Sequence, residues 1–180
     1  MDKVIVMYFS IYGTTKRYAE WIAEELNGDV FDIKNVTKDV LLNYDTIILG
    51  NGLYAGKING TNIILENYEL LKNKRIILYT CGLADYNEAK NINAIKTRIE
   101  KIIPEYIMQN IKVFYLRGGI DYKKLNLKHK IMMGMLKKMI TRKGPHKTND
   151  EDKLFIETYG QKLNFMDKKN IVEILDYCKK

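Results

Sequence analysis

A short turn near the start of this 180-residue chain combines hydroxyl groups with a glycine. The turn consists of Ser10, Ile11, Tyr12, Gly13, Thr14 and Thr15. It joins an apolar run at 3–9 to a segment with helical periodicity. Gly13 lets the backbone turn sharply, and the first N–H groups of a helix attract anions. The pattern predicts a phosphate-binding turn, although the same residues could form a simple helix cap without a ligand.

Two further turns carry glycine and tyrosine, and each follows another apolar run. The second turn consists of Asn51, Gly52, Leu53, Tyr54, Ala55 and Gly56, and the third of Cys81, Gly82, Leu83, Ala84, Asp85 and Tyr86. The tyrosines offer flat aromatic surfaces, and the glycines let backbone groups approach the heteroatoms of a ring. A second interpretation stays open, in which both tyrosines pack on surface helices and the glycines only form strand-to-helix turns.

Two common nucleotide-binding motifs are absent from the sequence. It contains no G-x-x-x-x-G-K, which argues against a P-loop hydrolase, and no G-x-G-x-x-G, which argues against a dinucleotide site. His129 and His146 lack acidic or cysteine partners at ligand spacing, so no metal site is predicted.

Apolar runs alternate with segments of helical periodicity along the whole chain. Strands are predicted at 3–9, 30–33, 46–50, 75–80 and 112–116, and helices at 15–26, 61–71, 87–103, 149–163 and 169–177. This alternation predicts an α/β fold, a doubly wound parallel sheet with helices on both faces. The carboxyl ends of parallel strands meet at one edge of the sheet. We therefore expect the three turns to lie together.

Composition and length predict one globular domain over 1–180. The chain is 46% hydrophobic and 29% charged, and no apolar run approaches the roughly 20 residues of a membrane span. The amino-terminal run lacks the features of a signal peptide. Cys81 and Cys178 show no metal or redox spacing, which predicts a reducing, cytoplasmic location.

The segment 121–147 differs in composition from the rest of the chain. It holds nine basic residues and one acidic residue, and so carries the whole net charge of +8. Within it, 127–140 has the periodicity of an amphipathic helix. The apolar face is predicted to contain Ile131, Met132, Met135, Leu136, Met139 and Ile140, with Lys130, Lys137 and Lys138 on the other face.

Two interpretations of this basic insert stay open. Basic residues beside methionines suit contact with an anionic membrane surface, on the inner face of the cell membrane, or with an adaptable apolar ligand. Alternatively, the apolar face covers the protein's own core. Nucleic-acid binding is not expected, because no recognised module accompanies the charge.

The chain resembles the flavodoxin family. The turn at 10–15 is similar to the flavodoxin phosphate loop, S-x-T-G-x-T, with Tyr12 in place of the family's threonine. Residues 44–50, which read YDTIILG, resemble the flavodoxin third strand. The likeness is closest to the menaquinone-dependent protoporphyrinogen oxidases of bacteria. In those proteins a G-x-x-x-Y motif, here at 118–122, leads into a basic, methionine-containing insert.

This resemblance implies a five-stranded sheet of order 2-1-3-4-5, with the insert after strand 5, and FMN as cofactor. Residues 10–15 would bind the FMN phosphate, and 51–56 and 81–86 would flank the isoalloxazine. It further implies an FMN-dependent oxidoreductase that passes electrons from a reduced organic substrate to a quinone. The alternative is a soluble flavodoxin-type carrier, which exchanges electrons with a redox protein partner and turns over no substrate. Neither interpretation names a catalytic residue.

Overall fold

The structure is a computed structural model that describes residues 2–54, 58–143, 148 and 150–179. Its contacts define two units, one made of 1–118 with 166–180 and the other of 119–165. The predicted insert, 121–147, falls within the second unit. That the chain forms a single domain stays a prediction.

The first unit is built on a parallel five-stranded sheet. The strands are β1 (Val4–Phe9), β2 (Asp29–Asp32), β3 (Thr46–Gly52), β4 (Arg75–Gly82) and β5 (Ile111–Arg117). They pair in the order β2-β1-β3-β4-β5, which confirms the predicted fold class. Every residue of β3 is buried, as expected for a central strand that is covered by helices on both faces.

Helices of very different length connect and cover the strands. They are α1 (Thr14–Leu26), α2 (Lys38–Leu42), α3 (Asn62–Glu66), α4 (Tyr68–Leu71), α5 (Ala89–Glu100), α6 (Glu105–Met108), α7 (Leu127–Arg142), α8 (Asp150–Thr158) and α9 (Val172–Cys178). Helices α1 and α9 pack on one face of the sheet, and α2 to α6 cover the other. None of the helices in the described residues is long and apolar enough to cross a membrane.

Several predicted element boundaries are wrong. The helix predicted at 61–71 is interrupted at Asn67, whose side-chain amide donates to the Ile63 carbonyl oxygen at 2.8 Å. Its backbone leaves the helical region there, at φ −115°. The helix predicted at 169–177 starts with a 3-10 turn, Lys168–Ile171, capped by the Asp167 carboxylate. Short α2 and α6 were not predicted, because about one helical turn carries too little periodicity to detect.

Strands β3 and β4 extend two residues further than predicted. Parallel pairing continues to Gly52 opposite Cys81 and to Gly82 opposite Arg117. The first residues of the second and third turns therefore belong to the sheet. Their backbone is fixed by ladder hydrogen bonds, which makes this edge of the sheet more rigid than a loop.

The second unit contains α7, α8 and a small antiparallel pair, β6 (Gly119–Asp121) with β7 (Lys162–Asn164). Helix α8 ends at Thr158, so the helix predicted to reach 163 is too long. A salt bridge joins Lys143 to Asp152 at 3.0 Å, and the rings of Tyr122 and Tyr159 lie 5.0 Å apart. Residues 144–147 and 149, including His146 and the start of the predicted helix at 149, lie outside the described residues.

The predicted apolar face of α7 is divided in the structure. Ile140 is buried, and Met132 and Leu136 are half-buried. In contrast, Leu127, Ile131, Met135 and Met139 are more than half exposed. These four residues recur every fourth position and so share one stripe of the helix. The predicted apolar residues therefore do not form one uniformly buried face.

A buried tyrosine connects α1, β5 and the carboxyl-terminal segment in the first unit. The Tyr18 hydroxyl donates to the Arg117 carbonyl oxygen at 2.7 Å and accepts from the Asn170 side-chain amide at 3.0 Å. Burial raises the pKa of this hydroxyl, so it stays protonated and able to donate at neutral pH.

We predict that Tyr18→Phe lowers the free energy of unfolding by about 0.5–1.5 kcal/mol, because it removes the hydrogen bonds of this buried hydroxyl to Arg117 and Asn170. Urea unfolding of the two proteins measures the difference. Tyr106→Phe is the control, since that side chain is 62% exposed and its change should stay within about 0.5 kcal/mol. Equal losses in both variants would contradict the assigned role of Tyr18.

Candidate functional site

The described parts of all three turns meet at the carboxyl edge of the sheet. The Ile11 N–H donates to the Tyr54 hydroxyl at 2.7 Å, which joins the first turn to the second. The Leu53 N–H donates to the Cys81 carbonyl oxygen at 2.9 Å, which joins the second turn to the third. The Cys81 sulfur lies 3.8 Å from the Thr14 hydroxyl. Residues separated widely in sequence thus form one cluster; Ala55 and Gly56 lie outside the described residues.

The first turn ends in a glycine that starts α1. Gly13 has φ +92°, a left-handed conformation that favours glycine. Its N–H donates to the Ser10 hydroxyl at 3.0 Å, and its carbonyl accepts the Arg17 N–H at 3.0 Å. The N–H groups at the start of α1 have no partner within the helix. Because the first helical turn contains no acidic residue, this end of the helix suits an anion.

A buried tyrosine on β4 holds the start of α1 against the sheet. The Tyr79 hydroxyl donates to the Thr15 carbonyl oxygen at 3.0 Å. Its ring lies on Gly50 of β3, where a Cβ would overlap it. The glycine thus leaves the space that lets Tyr79 reach the helix. Sequence analysis did not find this role of Tyr79, and only its place near the end of a central strand could have suggested it.

Thr15, Asn51 and Thr80 are fully buried polar residues at this edge whose side chains make no hydrogen bond of ordinary geometry within the described residues. For Asn51 this holds for both the oxygen and the nitrogen of the side-chain amide. An unpaired buried polar group costs about 1–3 kcal/mol. Such groups at a sheet edge indicate that a polar ligand completes their hydrogen bonds.

Tyr54 of the second turn lies across the first turn. Its ring makes edge contacts with Phe9 at 6.3 Å and with Tyr12 at 5.8 Å between centroids. A Cβ at Gly52 would lie 2.6 Å from the Tyr54 ring. Tyr54 therefore packs on the first turn and on Gly52. The interpretation in which it packs on a surface helix is wrong.

The third turn continues β4 and folds back on its own strand end. A Cβ at Gly82 would lie 2.6 Å from the Tyr86 hydroxyl, and the Tyr86 ring lies 5.8 Å from that of Tyr115. Leu83, Ala84 and Asp85 between them are partly exposed. Arg117, at the end of β5, contacts the Asp85 carboxylate at 3.1 Å. Sequence analysis did not include Arg117, because a charged residue before two glycines suggests only a strand end.

A cleft of about 520 Å³ opens at the same edge, on the side of β2. Apolar and polar side chains line it together, and Lys34 and Lys38 give it two positive charges against Glu66. Its lining consists of Phe9, Ile33, Lys34, Val36, Lys38, Gly60, Asn62, Ile63, Glu66 and Asn67. The cleft has room for a small organic molecule.

The described residues contain no group of histidine, cysteine and acidic side chains that could hold a metal ion. The candidate chemistry of this site therefore depends on backbone amides, hydroxyl groups and aromatic rings.

The fold and this edge define a class of protein: a doubly wound α/β protein whose first strand is followed by a turn with hydroxyl groups and a glycine, which leads directly into a helix. A sequence profile described as a flavodoxin domain matches residues 5–149, and the chain belongs to that family. It is a flavodoxin-like flavoprotein, a redox protein whose cofactor is FMN.

Several individual proteins are similar to this chain. An uncharacterized protein of Methanocaldococcus jannaschii is 29% identical over 127 residues, which cover 66% of this chain and 85% of the relative. A flavodoxin of Maridesulfovibrio salexigens is 27% identical over 126 residues, which cover 63% and 86%. Among solved structures, oxidised flavodoxin 2 of Bacillus cereus shares 18% identity over 64% of this chain and 84% of its own, with a TM-score of 0.45.

We predict that the Cys81 thiol resists alkylation at pH 8. Burial raises its pKa to about 11, partly offset by the neighbouring hydroxyls of Thr14 and Thr15, so little reactive thiolate forms. The rate of iodoacetamide labelling in a Cys178→Ser variant, followed from pH 7 to 10, measures this.

The same shift predicts that Cys81 lowers stability at alkaline pH. The thiol loses its proton more easily in the unfolded chain, whose pKa is near 9, than in the folded one. Its contribution to stability is therefore complete below about pH 9 and is lost as the pH rises towards 11. If iodoacetamide labels Cys81 at pH 8 as fast as it labels an unfolded control, the buried position of the Cys81 thiol is wrong.

Proposed function

We propose that this protein is an FMN-dependent oxidoreductase of the protoporphyrinogen oxidase type, which transfers electrons from a reduced organic substrate to a quinone. In this proposal residues 10–15 hold the FMN phosphate, and residues 51–56 and 81–86 lie beside the isoalloxazine. The observation that carries the proposal is that the three turns meet at one edge of the sheet, where the amide of Asn51 is buried without a hydrogen-bond partner in the described residues. A ligand that carries both an anion and a polar ring system fits this arrangement.

The phosphate would bind at the start of α1. The helix offers unpaired N–H groups, and Ser10 and Thr14 offer hydroxyl donors next to them. The Ile11 N–H is bonded to the Tyr54 hydroxyl. A phosphate that uses this N–H must replace that hydroxyl, so Tyr54 moves as the cofactor binds.

The residues that would face the ring system are polar and small. The Asn51 amide can donate and accept at the same place. Gly52 and Gly82 have no side chains of their own, so their backbone would reach a ring closely once Tyr54 and Tyr86, which cover them here, have moved. When bound, FMN supplies the redox chemistry itself. The chain contributes binding, orientation and the charge distribution around the cofactor.

The cleft beside β2 supports turnover of a small organic substrate. Lys34 and Lys38 favour a molecule with acidic groups, while Phe9 and Ile63 offer apolar contact. The substrate is oxidised and the quinone is reduced to the quinol, so the electrons and protons released by one are taken up by the other.

We propose that α7 docks the protein on an anionic membrane surface, where quinones reside. Its exposed stripe of Leu127, Ile131, Met135 and Met139 is interleaved with exposed Lys128, Lys138 and Arg142. The helix contains no acidic residue. Apolar side chains flanked by cations suit the boundary between lipid head groups and acyl chains.

Turnover tests the proposed activity directly. Purified protein loaded with FMN should oxidise a porphyrinogen to the porphyrin when a menaquinone analogue is present. It should reduce three quinones for each porphyrinogen, because this oxidation releases six electrons and six protons and each quinone takes up two of each. If FMN binds but neither compound is converted, the protein instead acts as a flavodoxin-type electron carrier, and the oxidase proposal is wrong.

For the cofactor site, we predict that Ser10→Ala together with Thr15→Val weakens FMN binding by about 1–3 kcal/mol, because two hydroxyls are lost. Fluorescence titration of the FMN-free protein measures the affinity. Thr46→Val is the matched control: it also removes a buried, unpaired hydroxyl, but at the amino end of β3. The assignment fails if the double variant and the parent bind FMN equally well.

For the membrane surface, we predict that the protein co-sediments with anionic liposomes and that salt releases it. Each basic residue near such a surface contributes about 1 kcal/mol, and the screening length falls to about 3 Å at 1 M salt. Ile131→Gln with Met135→Gln should reduce binding strongly. As a control, Leu42→Gln with Val172→Gln alters two exposed apolar residues of the first unit and should bind like the parent. Protein that stays in the supernatant at low salt would rule out membrane docking.

A further inference from the structure

Arg117 contacts the third turn at two points, although it belongs to none of the three turns. It is the last residue of β5 and pairs with Gly82 in the sheet. Its Nε donates to the Leu83 carbonyl oxygen at 3.2 Å, and its Nη1 lies 3.1 Å from an oxygen of the Asp85 carboxylate. The side chain is only 25% exposed, so water screens this ion pair less than a surface pair.

Asp85 connects this contact to the rest of the turn. Its second carboxylate oxygen accepts from both the backbone N–H and the side-chain amide of Asn87, each at 3.0 Å. Its carbonyl oxygen accepts from the Asn91 side-chain amide at 2.8 Å. Asp85 therefore joins Arg117 on one side to the start of α5 on the other.

The backbone of Arg117 is fixed from two directions. The Tyr18 hydroxyl donates to its carbonyl oxygen at 2.7 Å, and the next N–H, from Gly118, donates to the Gly82 carbonyl oxygen at 2.6 Å. The planar guanidinium can donate to a carbonyl and a carboxylate at once, in a fixed geometry. A lysine in this position would carry the charge without this fork.

We propose that Arg117 is a positioning residue that holds the third turn in its binding shape and, through its charge, sets the reduction potential of the bound cofactor. The part about the potential rests on the proposed function, in which the third turn lies beside the isoalloxazine. Reduction adds electrons to the cofactor, so a fixed positive charge nearby favours the reduced form and a negative charge disfavours it. Arg117 and Asp85 should therefore act on the potential in opposite directions.

The proposal is tested first with Arg117→Gln, Asp85→Asn and the two combined. In the FMN-free protein, hydrogen–deuterium exchange at 83–87 should become faster in both single variants, since each breaks the contact. FMN affinity should fall about tenfold in Arg117→Gln, which corresponds to the loss of one interaction with a charged group.

The midpoint potential of bound FMN separates an electrostatic role from a merely structural one. It should become more negative in Arg117→Gln and more positive in Asp85→Asn. In the combined variant, which loses one charge of each sign, it should lie between the two. Arg117→Lys keeps the charge but not the fork, so the potential should stay close to that of the parent while exchange at 83–87 becomes faster.

Arg75 provides the matched control at the opposite edge of the sheet. It is the first residue of β4, its side chain is 29% exposed, and it lies 3.9 Å from Asp2 and donates to the Cys178 carbonyl oxygen at 2.6 Å. Arg75→Gln should change neither exchange at 83–87 nor the potential.

Two results would overturn the proposal: unchanged exchange at 83–87 in Arg117→Gln, or shifts of the potential in the same direction in both single variants. If the parent protein binds no FMN, the proposed function fails, and the exchange measurements on the FMN-free protein still decide whether Arg117 holds the turn.

Discussion

The parallel register of four strands is the constraint on which the candidate site depends. Phe9 pairs with Asn51, Asn51 with Thr80, and Thr80 with Tyr115. Because these pairs align the carboxyl ends of β1, β3, β4 and β5, the segments that follow them must emerge side by side. A slip of one residue in β3 would move Asn51 away from the edge and reverse the side chains of the whole strand.

Much of this architecture could be predicted from sequence because the central strands are continuously apolar. That pattern marks strands covered on both faces, and it identified the edge where the turns meet. Periodicity does not reveal which side of a helix is covered. Ile131, Met135 and Met139 lie next to the stripe of Met132, Leu136 and Ile140, and only the packing separates the exposed stripe from the buried one.

The contacts that shape the site could not be predicted, because they join residues with no pattern in common. Tyr79 reaches the start of α1 only where Gly50 leaves room for its ring. Arg117 reaches Leu83 and Asp85 only because β5 ends beside β4. Tyr79 depends on the missing side chain at Gly50, and Arg117 depends on the register between β4 and β5. The periodicity of the sequence gives no information on either feature.

The distribution of charge separates the two proposed functions of the chain, which are cofactor binding at the first turn and membrane docking by the basic segment. The segment 121–147 carries the entire net charge, so the remainder is neutral. An anion at the first turn does not require lysine, because the start of a helix supplies N–H donors and a favourable dipole. Such donors act at short range and lose little of their strength when salt is added. Attraction between the basic segment and an anionic surface acts at longer range and is screened. Higher ionic strength should therefore weaken the proposed membrane binding and leave the affinity for FMN nearly unchanged.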